Sequence, residues 1–134
     1  MTQFLLVQTA GSPIASGSAA KRVTENPYLV RSARHNFGEI DDVWVVRPTQ
    51  GELDVLVGDA HERLQGSGTY PETELAKLLT ILTDTSPGIV LFWASYPNDL
   101  PNAASPSELH AMVESQLREA TSGPPELYVR WQRA

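Results

Sequence analysis

The run Gly88-Ile-Val-Leu-Phe-Trp-Ala-Ser95 constrains this chain more than any other segment. It is continuously apolar, of strand length, and bounded by Pro87 and Tyr96-Pro97. A strand sends alternate side chains to opposite faces, so a run without alternation predicts a strand buried on both of them. It falls far short of the roughly 20 apolar residues needed to span a bilayer. The N-terminal Met1-Thr-Gln-Phe-Leu-Leu-Val7 lacks a basic region and is too short for a signal peptide. The expectation is a cytoplasmic protein with no membrane partner. A chain of 134 residues of this hydrophobicity forms one domain, 1–134, with a core that needs no crosslink. It has no cysteine, which removes disulfide scaffolds, thiol nucleophiles and cysteine-based zinc sites.

The other elements are read around that strand. Gln3–Gln8 is a short apolar run and predicts a strand, whereas the Gly/Ser/Pro-rich 10–20 segment predicts a loop. Tyr28–Arg31, after Pro27, reads as a short strand, and Asp42–Arg47, closed by Pro48, as a better one. Thr49-Gln-Gly-Glu52 has capping-box spacing. Leu53, Leu56, Val57, Ala60 and Leu64 then lie on one helical face that ends at Gly66. Gly58 weakens that helix by about 1 kcal/mol relative to Ala, so a strand over Leu53–Val57 is the competing reading. A second helix is expected from Pro71, with Leu75, Leu78, Leu79 and Leu82 inward. Ser105-Pro106-Ser107-Glu108 is the strongest helix start: a serine cap, proline in the first turn and glutamate at the third position. Leu109, Met112, Val113, Gln116, Leu117 and Ala120 continue one face, and Gly123-Pro124-Pro125 stops it. Leu127, Val129 and Trp131 alternate with Tyr128 and Arg130 in a half-buried last strand. Together these predict an α+β fold: a two-layer sandwich, a mostly antiparallel sheet with helices packed on one face.

Charge narrows function. Ten Lys+Arg against sixteen Asp+Glu give −6, which argues against a nucleic-acid partner. Residues 1–34 hold four basic groups and one acid; 35–62 hold seven acids (Glu39, Asp41, Asp42, Glu52, Asp54, Asp59, Glu62) and only Arg47. That stretch is either a solvated face or a steering surface for a basic partner.

Motifs for chemistry are missing. There is no phosphate-binding glycine loop, no HExxH and no nucleophile elbow. The histidines, His35, His61 and His110, are scattered; Asp59-Ala-His61-Glu62 has the wrong helical spacing for a metal pair. No metal or cofactor is expected. His110 reads as a surface or core-edge histidine, and Trp93 and Trp131 as core. An enzyme would draw on His35 with Glu39, Asp41 and Asp42, acids that read more simply as an exposed loop opening a strand. Trp44, directly after those acids, faces either core or partner, and aromatics dominate binding hot spots.

In the C-terminal third, the strand Ile89–Ala94, the capped helix from Ser105 and Glu108, the Thr121 to Pro124/Pro125 turn and the strand Leu127–Trp131 resemble the immunity protein family 1 of bacterial polymorphic toxin systems. Pro124 stands where that family usually has Arg before the proline, and two helical segments precede Ile89 where it has strands. The resemblance implies a non-enzymatic protein that binds a cognate toxin C-terminal domain one-to-one and covers its active site, the toxin being a nuclease or deaminase. Candidate partner-binding residues are Glu39, Asp41, Asp42 and Trp44, with Tyr96, Asn98 and Asp99 second. The alternatives are an acidic secretion chaperone for an exported effector, working as a dimer, and a small enzyme centred on His35.

Overall fold

In the computed structural model the chain is described over residues 2–8, 18–22, 27–38, 43–48, 53–94, 102–121 and 125–133. The apolar run is strand β4 (Gly88–Ala94), flanked by β1 (Thr2–Gln8) and β6 (Leu127–Gln132), both antiparallel to it. β3 (Val43–Pro48) pairs with the other edge of β1, and β2 (Ser18–Arg22) with β3. A two-residue strand, β5 (Asn102–Ala103), runs parallel to β6, completing the order β2-β3-β1-β4-β6-β5.

Helix α2 (Leu53–Gln65), α3 (Glu74–Thr85) and α4 (Pro106–Glu119) share one core with the sheet. Leu5, Val7, Ile89, Leu91, Leu127, Val129 and Trp131 point into it, against Val57, Leu79, Leu82, Leu109, Val113 and Leu117. The apolar stripes of the three helices face inward as their spacing predicts. α2 is a helix despite Gly58 because Leu53, Leu56, Val57, Ala60 and Leu64 are all buried, and that burial outweighs the propensity loss. Ser105 caps α4, its side-chain oxygen accepting from the Glu108 N–H at 3.1 Å, while the Glu108 carboxylate accepts from the Ala104 N–H at 3.2 Å.

The expected two-layer sandwich with a mostly antiparallel sheet and helices on one face requires correction. The sheet is mixed, because β5 joins β6 in parallel through the α4 connection. Helix rather than strand dominates the domain. The second face of the sheet is also buried at its centre: Val43 and Val90 lie on the face opposite Val7 and Ile89 by register, yet both are fully buried and neither belongs to the α2–α4 core, while Tyr128 and Arg130 on that same face are half-buried. Ala33 of α1 (Pro27–Phe37) is likewise buried outside that core. The physical reason is the run itself. Ile89, Val90 and Leu91 are all at zero exposure, and a strand apolar on both sides cannot leave one side to water.

Local expectations change at four places. Tyr28–Arg31 is the first part of α1 and not a strand; Pro27 opens the helix, where a missing N–H costs nothing, and Val30, Ala33 and Phe37 turn from solvent at helical spacing. The 10–20 loop ends in β2, since pairing with β3 recruits Ser18–Ala20; its 10–17 part lies outside the described residues. Pro71 sits in a 3-10 turn, Tyr70–Glu72, and α3 starts after it, with Thr73 as cap accepting from the Ala76 N–H. Asn102–Ala103 interrupts the connection that leads to α4. Among the described residues no helix is long and apolar enough to cross a membrane.

Candidate functional site

The leucine stripes that bury α3 and α4 leave their flanks facing each other. Ala76, Lys77, Thr80 and Ile81 on α3 and Ser107, His110, Ala111 and Glu114 on α4, closed at one end by Tyr70 and Pro71, enclose a groove of 780 Å³. Its walls are mostly apolar, and a single polar chain crosses it. Thr80 Oγ1 donates its one proton to the Ala76 carbonyl at 2.9 Å. It is therefore an acceptor toward His110 Nε2, 3.2 Å away. His110 is then the neutral tautomer with hydrogen on Nε2, and its Nδ1 accepts from the Tyr70 hydroxyl at 2.7 Å. The two rings meet edge to face, with centroids 5.5 Å apart. Burial lowers the His110 pKa. Burial, and then the negative charge of Glu114, raise that of the Tyr70 phenol. Both shifts favour the neutral, hydrogen-bonded pair.

Chemically, this chain ties the 3-10 turn, α3 and α4 together. Both His110 nitrogens are engaged, so a general base would have to break the link to Tyr70 first. The charged rim is also paired: Lys77 with Glu74 at 3.3 Å and Arg118 with Glu114 at 2.9 Å, each within its own helix. The groove offers shape and apolar surface rather than an activated group.

No known family, curated protein or solved structure matches this chain.

A second surface lies on the outer side of α2. Val55, opposite the buried stripe, is 54% exposed. Gly58, Asp59 and Glu62 share this side, with Glu62 exposed and Asp59 held by Arg63 at 3.0 Å. The C-terminal ends of α2 and α4 lie side by side and cap each other. His61 Nε2 bonds the Ala120 carbonyl, Gln65 donates to the Leu117 carbonyl at 3.2 Å, and Arg118 donates to the Leu64 carbonyl at 3.5 Å. These side chains satisfy helix-end carbonyls that would otherwise lack partners. They also assign His61 to structure.

Of the residues expected to bind a partner, Glu39, Asp41, Asp42, Tyr96, Asn98 and Asp99 lie outside the described residues. Trp44 is on β3 opposite Val7, on the sheet face that packs against α2–α4, and is half-buried. His35 is on α1. Trp131 is core, as expected, at 2% exposure. The reading of His110 as a surface or core-edge histidine fits its intermediate burial but does not reach its partners. Tyr70 and Thr80 lie 40 and 30 positions away, and no local pattern joins them. The apolar stripes do locate the flanks of α3 and α4, so the missing information is only which flanks meet. Among the described residues, no three His, Asp or Glu side chains converge as metal ligands.

Proposed function

We propose that this chain is a binding protein that neutralises a cognate bacterial toxin domain one-to-one, the toxin acting on a polyanionic substrate as a nuclease or nucleic-acid deaminase does. The observation that carries the reading is charge: seven acids against one arginine over residues 35–62, in a chain of net charge −6. A nucleic-acid-processing domain presents cationic surface to its phosphates, and an acidic protein both fits that surface and reaches it quickly by electrostatic steering. The resemblance of the C-terminal third to immunity protein family 1 supports the same role. A complex of this kind buries about 1,600 Å² in total.

The test is capture from a lysate of the source organism at moderate salt with the tagged protein, followed by identification of what stays bound. The expected partner is a basic domain from the C-terminus of a larger secreted protein, toxic when expressed alone and harmless when co-expressed with this chain. Capture of an unfolded, pre-secretion effector by a dimer of this chain would replace the reading with that of a secretion chaperone. Failure of co-expression to relieve toxicity would overturn it.

A further inference from the structure

We propose that Tyr70 and His110 form a pH-operated latch: the neutral imidazole ties the 3-10 turn to α4, and the protonated one gives up Tyr70 for Glu114 on its own helix. The device needs no partner and does not depend on the toxin-binding role. Its basis is the route of the polar ties across the groove. Among the described residues, α4 meets the 3-10 turn through the Tyr70 hydroxyl on His110 Nδ1, at 2.7 Å, and α3 through His110 Nε2 on Thr80 Oγ1, at 3.2 Å. No other hydrogen bond or ion pair among them crosses from α4 to either element. One titratable ring thus carries the whole polar connection. Thr80 sets its sense: with its own proton given to the Ala76 carbonyl at 2.9 Å, it keeps hydrogen on Nε2 and leaves Nδ1 to accept from Tyr70.

A proton on Nδ1 removes that acceptor. Tyr70 is buried, at 4% exposure, and a buried donor without a partner is costly, so the turn moves out until the hydroxyl meets water. The imidazolium, by contrast, has a carboxylate within reach. Glu114 follows His110 by four positions, one helical turn, and lines the same groove. It holds Arg118 at 2.9 Å through Oε2, which leaves Oε1 to accept from the ring. The other charged group on the groove wall, Lys77 of α3, opposes the proton but is paired with Glu74 at 3.3 Å. Glu72 of the turn and Glu108 of α4 do not line the groove, and Glu108 is engaged by the Ala104 N–H. His110 is half-buried beside an open groove, so the proton enters without unfolding. Burial places the exchange below the ring's ordinary pKa of 6.5.

The experiment follows the wild-type protein by NMR from about pH 7.5 to about pH 4.5, reading the His110 and Tyr70 rings and the amide exchange of the 3-10 turn. The two rings should shift together with one midpoint below 6.5. Turn exchange, corrected for the pH dependence of the exchange chemistry, should rise at least about fivefold through that midpoint while β4 stays protected. Glu114→Gln removes the receiving carboxylate and leaves the neutral latch intact; its His110 midpoint should fall below that of wild type, with the turn protected to lower pH. Tyr70→Phe, without the hydroxyl, should show fast turn exchange at both ends of the range. A turn that stays protected while His110 titrates would overturn the proposal, because the bond would then have reversed, with Tyr70 accepting from the imidazolium. Glu114→Gln titrating and opening as wild type does would overturn it as well. So would loss of β4 protection at the same midpoint, which is unfolding of the domain and not release of a latch.

Discussion

Protonating His110 breaks the proton order of its surroundings. With hydrogen on both nitrogens the ring can no longer accept from Tyr70, and the Tyr70 hydroxyl must turn or find another acceptor. The charged groups nearby are Glu114 and Arg118 on α4 and Lys77 and Glu74 on α3, paired within their helices. Because burial lowers the His110 pKa below its ordinary 6.5, the unfolded chain takes up this proton before the native one does. The His110 contribution is therefore fully present above pH 6.5 and is lost as pH falls from there toward the native pKa. In urea unfolding from about pH 7.5 down to 5, wild type should lose more stability than His110→Asn, whose side chain does not titrate. Superimposable pH profiles for the two proteins would show that the ring is not held neutral by this environment. At alkaline pH the sign reverses for Tyr70: its raised pKa favours the native state until the unfolded phenol ionises near 10.0.

Among the elements, α4 is the one most fully written in local sequence. Ser105, Pro106 and Glu108 occupy the positions their chemistry favours, and Leu109, Val113 and Leu117 are buried as their spacing demands. Ser105→Ala should therefore cost about 1 kcal/mol in chemical denaturation; a change under about 0.3 kcal/mol would mean that the cap bond seen at 3.1 Å contributes nothing. β4 and β6 were legible for the same reason: their patterns have one physical solution. The α2 stripe left a strand over Leu53–Val57 as a competitor, and burial continuing through Ala60 and Leu64 decides for the helix. α1 was not legible, because four residues after a proline do not separate period 2 from period 3.6, and the decisive trio Val30, Ala33 and Phe37 extends beyond them. β2 and β5 owe their existence to pairing with β3 and β6, which no local propensity carries. Two-sided burial at the centre of the sheet was legible in β4 alone, since a strand apolar throughout is incompatible with helices on one face only.

At the scale of the whole molecule, fold and function separate. The core is specified by apolar periodicity over many positions, so its outline can be read from sequence. The candidate surfaces are made of single residues: Tyr70 of the 3-10 turn and His110 of α4 brought together by tertiary packing, and Val55, Gly58 and Glu62 aligned along α2. Of these only the α2 stripe is contiguous enough to be seen in sequence, and there Gly58 reads first as a weak point in a helix. Charge is the one functional property legible without the fold, because a net −6 concentrated in 35–62 is independent of how the helices pack. It leads to the most direct measurement of the proposed binding role: the association rate of this protein with a basic domain captured by it, as a function of salt. Electrostatic steering predicts a rate that falls at least about tenfold between roughly 50 mM and 500 mM NaCl. A rate that stays constant over that range would contradict recognition through the acidic surface.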